Sequence, residues 1–179
     1  LTLRIATYPI LSQLELKRFT SLTALSVEFS TVHVPEVDHF MPNLCAAALP
    51  LQSLEFTECT IPQELCVRLA ASLSSHLTRL SMRRVQCKGL LDAVFAQCTK
   101  LADLQLSYPH SEVPLFSEQP IPSLQKLINY GNPAIFSKFL TMAPNLKDLC
   151  FTIRDSERTF PISSAIAQVS ERIPLVEKL

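Results

Sequence analysis

Residues 51–61 read LQSLEFTECTI, with apolar side chains at the first, fourth, sixth and eleventh positions and Cys59 at the ninth. Leu54 and Phe56 alternate with polar residues, which is the period of a β-strand that buries one face. A buried helix would instead continue its apolar stripe seven and eight residues further on. The stretch therefore predicts a short strand, and a bundle of leucine-rich helices is the alternative.

The same spacing recurs in the same phase along the chain. The first leucines of the six units are Leu22, Leu51, Leu77, Leu101, Leu124 and Leu146. Successive units start 29, 26, 24, 23 and 22 residues apart, which is typical of short structural repeats. Residues 1–5 and 176–179 look like partial units at the two ends. The recurrence predicts a repeat architecture in which each unit adds one strand to a shared sheet.

The segments between the predicted strands carry helical patterns. Apolar residues at helical spacing predict helices in four of these segments, residues 63–76, 88–97, 134–142 and 164–173. Residues 107–122 contain four prolines, which a regular helix does not accommodate. We therefore expect an irregular loop between the fourth and fifth units.

The composition is that of a folded chain with no overall charge. Hydrophobic residues make up 47% of the 179 residues and charged residues 18%, which argues against disorder. The 16 basic residues balance the 16 acidic ones, so the net charge attracts neither nucleic acid nor an anionic membrane. No apolar run approaches the roughly 20 residues that span a bilayer. We therefore expect no nucleic-acid partner and no membrane partner.

The sequence lacks the motifs of common catalytic and cofactor sites. Its two glycines, Gly89 and Gly131, cannot form a phosphate-binding loop. The closest cysteines, Cys59 and Cys66, are seven residues apart, whereas zinc sites use closely spaced pairs. Cys150 is expected on the exposed strand face, where a small filler is favoured over a nucleophile paired with a histidine. We expect no enzyme activity, no metal site and no cofactor.

The cysteine count and the glycosylation pattern bear on the compartment. Six cysteines allow three disulfides at most, which is a low density for a disulfide-stabilised domain. The sequence contains no Asn-x-Ser/Thr acceptor site for glycosylation. Both features favour a cytoplasmic or nuclear setting over a secreted one.

The repeats resemble those of the leucine-rich-repeat superfamily, and the resemblance covers nearly the whole chain. It implies an α/β solenoid with a curved parallel β-sheet on the concave side, and helices and irregular loops on the convex side. Residues 1–179 would then form a single leucine-rich-repeat domain of about six full repeats, with partial units at both ends. We expect this domain to be a piece of a longer chain.

Residues 98–107, CTKLADLQLS, are similar to the cysteine-containing repeats of F-box substrate receptors. Cys59 occupies the matching position of another unit, whereas Val85, Pro109 and Arg154 depart from the pattern. The similarity implies that this chain is the substrate-recognition part of an F-box-like ubiquitin ligase receptor. A Skp1-like adaptor would then bind through a segment outside this chain. Similar irregular repeats occur in other proteins, so a structural subunit of a large assembly, a GTPase activator and an immune receptor are the alternatives.

A solenoid of such repeats exposes the third, fifth and seventh positions of each unit on its concave face. Arginine and tyrosine side chains concentrate binding energy at protein interfaces, so we expect another protein as the partner. The predicted partner-binding residues are Glu55, Glu58, Arg79, Arg83, Arg84, Tyr108 and Tyr130. Ser81 on the same face and Phe29 at a strand end are also expected to be exposed. The alternative is that all of these are ordinary solvated residues on an unused surface.

Overall fold

The computed structural model describes residues 1–5, 15–29, 35–107, 119–130 and 133–152. Within these ranges, seven strands form one sheet. The strands are β1 (Thr2–Ile5), β2 (Ala24–Glu28), β3 (Ser53–Thr57), β4 (Arg79–Arg83), β5 (Asp103–Ser107), β6 (Lys126–Tyr130) and β7 (Asp148–Thr152). Each strand pairs in parallel with the next one in the chain, so the spatial order follows the sequence order. This confirms the prediction of an α/β fold with a parallel sheet.

Helices connect the strands in the described part of the chain. They are α1 (Pro35–Ala46), α2 (Gln63–Leu73), α3 (Leu90–Gln97), α4 (Pro133–Met142) and the 3-10 helix Leu16–Arg18. Neighbouring parallel strands need a connection that returns the chain to the same end of the sheet, and these helices lie in such connections. α2 contacts both α1 and α3. Within the described ranges, no helix has both the length and the apolar character that crossing a membrane requires.

The second leucines of the six units are neighbours in the sheet and point into the core. They are Leu25, Leu54, Leu80, Leu104, Leu127 and Leu149, aligned one beside the next by the strand register. None of these six side chains is more than 3% exposed. The residues between the buried positions lie on the opposite face of the sheet. Alternation of apolar and polar residues along each strand therefore gives the sheet one buried face.

The predicted elements agree with the structure where it describes them. α2, α3 and α4 overlap three of the four predicted helical segments, and their bounds differ from the predicted ones by three residues at most. β1 confirms the strand predicted near the start of the sequence. The predicted helix 164–173, the predicted strand at 176–179 and most of the predicted loop 107–122 lie outside the described residues.

α1 and the 3-10 helix are not among the predicted elements. α1 contains Pro42, and a proline interrupts a helical pattern because it lacks the backbone N–H donor. Phe40, Met41 and Leu44 of α1 are buried and lie on one side of the helix. The Phe40 ring meets the Phe29 ring edge-on, with 6.0 Å between the centroids. Burial of these side chains therefore offsets the cost of the proline.

Candidate functional site

The candidate site is the face of the sheet opposite the core, which we call the open face. Its side chains come from the third, fifth and seventh positions of each unit, in three rows that run across the strands. The register puts equal positions of neighbouring units side by side, so Arg79 lies between Ser53 and Asp103. Residues far apart in the sequence therefore become neighbours on the open face.

The third-position row alternates in charge from β4 to β7. Nε of Arg79 donates a 2.8 Å hydrogen bond to Oδ2 of Asp103, and Nζ of Lys126 lies 3.0 Å from Oδ2 of Asp148. The hydrogen bond to Asp148, helped by the charge of that carboxylate, raises the pKa of Lys126. Asp103, Lys126 and Asp148 are not among the predicted site residues. The alternating signs at the third position of successive units are the sequence pattern that identifies these pairs.

Two further arginines, Arg83 at the end of β4 and Arg84 just after it, pair with acidic residues in the middle of β3 and just after it. Nη2 of Arg83 lies 3.3 Å from Oε1 of Glu55, and Nη1 of Arg84 lies 2.5 Å from Oε1 of Glu58. The hydroxyl of Ser26 donates a 2.9 Å hydrogen bond to the other carboxylate oxygen of Glu55. Four of the predicted site residues therefore form two neighbouring ion pairs.

In the three arginine pairs the cation is exposed and the carboxylate is largely covered. The side chains of Arg79, Arg83 and Arg84 are 62%, 51% and 63% exposed, whereas those of their acidic partners are 19%, 26% and 23% exposed. Each of the three arginines therefore has an acidic neighbour, so they do not form an unpaired basic cluster. Exposed ion pairs contribute only about 0–1 kcal/mol to stability. Their main effect here is to orient the guanidinium groups.

Glu58 and Arg84 occupy equivalent places, one residue after the ends of β3 and β4. Both have a left-handed backbone, with φ of 56° and 52°, which is uncommon outside glycine and asparagine. The Glu58 N–H donates to the Arg83 carbonyl over 2.8 Å, and the Arg84 N–H donates to the Ser107 carbonyl over 2.6 Å. The next strand therefore holds each turn in place and keeps the two side chains close enough to pair.

An apolar patch lies on the open face of β6 and β7, on the same strands as the Lys126–Asp148 pair. Tyr130 ends β6 at the seventh position and is 37% exposed. Ile128, at the fifth position of its unit and in the middle of β6, is half-buried and lies beside the exposed Cys150 of β7. We call Ile128, Tyr130 and Cys150 the apolar patch, and β6 is two strands away from Arg83 of β4. Tyr108, the other predicted tyrosine, lies outside the described residues.

Two residues that were expected to be exposed are buried. Ser81, at the fifth position of its unit and in the middle of β4, is 7% exposed, and its hydroxyl has no hydrogen-bond partner among the described residues. Arg79 and Arg83 flank it on the same strand and the same face, and such long side chains cover a serine. Phe29 is 2% exposed, because its ring packs against that of Phe40 in α1.

All six cysteines are free thiols, and most of them are shielded from water. Burial raises the pKa of Cys59 to about 12 and that of Cys98 to about 11. It also raises the pKa of Cys66 to about 11 and that of Cys87 to about 12. A thiol with a raised pKa is a poor nucleophile and a poor metal ligand at neutral pH. In the described ranges, no three His, Cys, Asp or Glu side chains are grouped to hold a metal ion.

We expect N-ethylmaleimide to modify Cys150 first in the native protein at neutral pH. Cys150 is exposed on β7, whereas Cys59, Cys66 and Cys98 are buried. Its reaction should be about tenfold faster or more than that of the buried thiols, because only exposed thiolates react readily. Mass spectrometry of peptides from a time course measures the rates, and the same treatment in urea shows that every thiol can react. Equal native rates for Cys150 and Cys98 would contradict the position of Cys150 on the open face.

Comparisons of the chain with protein-family models, with curated proteins and with solved structures found no match. The geometry of the open face is therefore the basis for assigning a function.

Proposed function

We propose that the chain is a leucine-rich-repeat solenoid and that its open face is the concave side. A backbone hydrogen bond that recurs once per unit supports this proposal. The second residue of each unit donates its N–H to the unit before it, over 2.8–3.0 Å, at Thr23, Gln52, Thr78, Ala102, Gln125 and Lys147. Stacked copies of one supersecondary unit repeat such a contact at every step.

We further propose that the open face binds another protein and that the domain has no catalytic activity of its own. The observation that carries this proposal is the set of exposed arginines on and just after β4, each paired with a carboxylate from a neighbouring strand or its end, with an apolar patch nearby. Arginine and tyrosine are the residue types that dominate protein interfaces. Seven strands at a spacing of about 4.8 Å span about 29 Å, which is wide enough for a protein surface.

A narrower function that we propose is substrate recognition in an F-box-like ubiquitin ligase receptor. The similarity of residues 98–107 to F-box receptor repeats supports it, and six free thiols suit a cytoplasmic or nuclear protein. The alternatives are a structural subunit of a large assembly and a regulatory repeat domain. Affinity capture with the full-length protein separates them. Recovery of a Skp1-like adaptor favours the receptor, and a stable stoichiometric complex favours the structural subunit.

We expect the double variant Arg83→Glu/Arg84→Glu to lose at least about tenfold in capture of the partner. The two reversals remove exposed guanidinium groups and place four negative charges together, because Glu55 and Glu58 remain. The measurement is quantitative mass spectrometry of the proteins that the purified domain retains from an extract of its native cells.

The matched control is Arg68→Glu/Lys88→Glu, which reverses two exposed charges that lie outside the strands, one of them on α2. Thermal unfolding of both double variants establishes that each remains folded. We expect the control to capture the same proteins as the wild type. Unchanged capture by the open-face variant, or an equal loss of capture by the control variant, would contradict the proposed function.

A further inference from the structure

We propose that the open face between β4 and β6 binds an extended polyproline-II segment of a partner protein. The segment carries an acidic side chain and, three residues away, an apolar side chain. The acidic group binds the arginines of β4, and the apolar group lies on the apolar patch. This inference rests on the proposed function, because it requires the open face to be the binding surface.

The arginines of β4 retain hydrogen-bond donors for an acidic side chain. A guanidinium has five N–H donors. The contacts among the described residues use Nε of Arg79, Nη2 of Arg83 and Nη1 of Arg84. The remaining donors belong to side chains that are more than half exposed, whereas the paired carboxylates are mostly covered. A planar fork of N–H donors is suited to a carboxylate, which it can bind through two parallel hydrogen bonds.

The Ser81 hydroxyl adds a second observation at the same place. It lies between Arg79 and Arg83, is covered, and has no hydrogen-bond partner among the described residues. A covered hydroxyl without a partner costs stability, and a carboxylate that enters between the two arginine side chains as they separate can accept its hydrogen bond.

The fifth-position row connects Ser81 on β4 with the apolar patch on β6. Ser81, Gln105 and Ile128 are neighbours in the register of β4, β5 and β6. Ile128 is half-buried and Tyr130 is 37% exposed, so the patch offers apolar surface without a large cost of exposure in the free protein. An apolar side chain placed there removes further apolar area from water.

The strand spacing determines how far apart the two side chains of the partner must be. β4 and β6 are two steps apart in the sheet, which corresponds to about 9.6 Å. A polyproline-II segment rises about 3.1 Å per residue and presents the same face every third residue, after about 9.3 Å. A β-strand would turn the third residue to the opposite face. A polyproline-II segment that crosses the strands therefore matches both groups at once.

The test uses fluorescein-labelled peptides on a proline scaffold. The probe has eight residues, with glutamate third, phenylalanine sixth and proline elsewhere. Its companions replace the glutamate by glutamine, or separate the two residues by two or four positions. We expect fluorescence anisotropy to show that the probe binds the wild-type chain about tenfold tighter than each companion. The binding should also weaken as salt is added, because exposed charges are screened.

Three variants of the chain complete the test. Ser81→Ala and Arg83→Gln should each weaken binding of the probe about tenfold, whereas Arg68→Gln on α2 should leave it unchanged. Ser81→Ala should leave the melting temperature equal or higher, because the hydroxyl has no partner to lose. A serine with a merely structural role would change the melting temperature and leave the spacing preference intact.

Three results would overturn the inference. The first is equal binding of the probe and its glutamine companion, and the second is equal binding of the probe and the companions with altered spacing. The third is no binding to the wild-type chain at about 1 mM, where even weak binding is detected. The capture experiment with Arg83→Glu/Arg84→Glu tests the proposed function separately. Loss of capture without a spacing preference rejects the inference alone, and unchanged capture rejects the proposed function on which it rests.

Discussion

The substitution Phe56→Ala is expected to lower the free energy of unfolding by about 3–5 kcal/mol. Phe56 is 0% exposed and lies between Val27 and Met82 in the register of the sheet. Removal of the ring leaves a cavity that close-packed neighbours cannot fill. Since a domain is typically stable by only about 5–15 kcal/mol, the variant loses a large share of its stability. Urea unfolding followed by circular dichroism measures the change.

The matched control for Phe56→Ala is Thr57→Ala on the same strand. Thr57 is the next residue along β3, lies on the open face and is half-buried. Its replacement should change the free energy of unfolding by no more than about 0.5 kcal/mol. Similar losses in the two variants would contradict the assignment of the core face and the open face.

The substitution Asn129→Asp is expected to cost about 3 kcal/mol or more at pH 7. Asn129 is 0% exposed and lies in β6 between Leu106 and Phe151 in the register. A carboxylate at this position is removed from water, so burial raises the pKa of the introduced acid above its ordinary value of about 3.9. Chemical unfolding at a series of pH values measures the difference from the wild type.

The loss in Asn129→Asp should decrease as the pH falls. The pKa in the folded state lies above the pKa in the unfolded state, so the protonated form favours folding. The loss is therefore complete above the raised pKa and decreases by about 1.4 kcal/mol per pH unit down to about pH 4. Asn43→Asp, at an exposed position of α1, is the control and should cost less than about 1 kcal/mol. A loss at Asn129 that does not vary with pH would contradict the burial of the introduced carboxylate.

The ion pairs of the open face contribute little to stability, and in the proposed function they serve recognition. Glu55 and Glu58 hold Arg83 and Arg84 in one arrangement, while most of the guanidinium surface faces outward. Ordering a long side chain at an interface costs about 0.5–1.5 kcal/mol. Because the two arginines are already ordered in the free protein, a partner avoids part of this cost. In the proposed function, the covered carboxylates therefore contribute to binding without contacting the partner.

The sequence by itself determined the strands, their parallel order and their buried face. Leu54 and Phe56 are separated by the period of a strand, and the same pattern returns at intervals of 22–29 residues. Alternation along a strand decides which face each side chain takes, and a similar connection length in every unit places each strand beside the next. The alternation and the connection length are both local properties of the chain. They can therefore be predicted from the spacing of apolar residues in the sequence.

Only the tertiary structure decided the pairing of charges and the burial of single polar residues. Arg83 lies beside Thr57 in the register, yet it pairs diagonally with Glu55. Ser81 occupies a position of the open face and is nevertheless covered. The physical reason is that long side chains have several rotamers of similar energy. Neighbours from other strands select among these rotamers, and the identity of those neighbours is a property of the folded sheet.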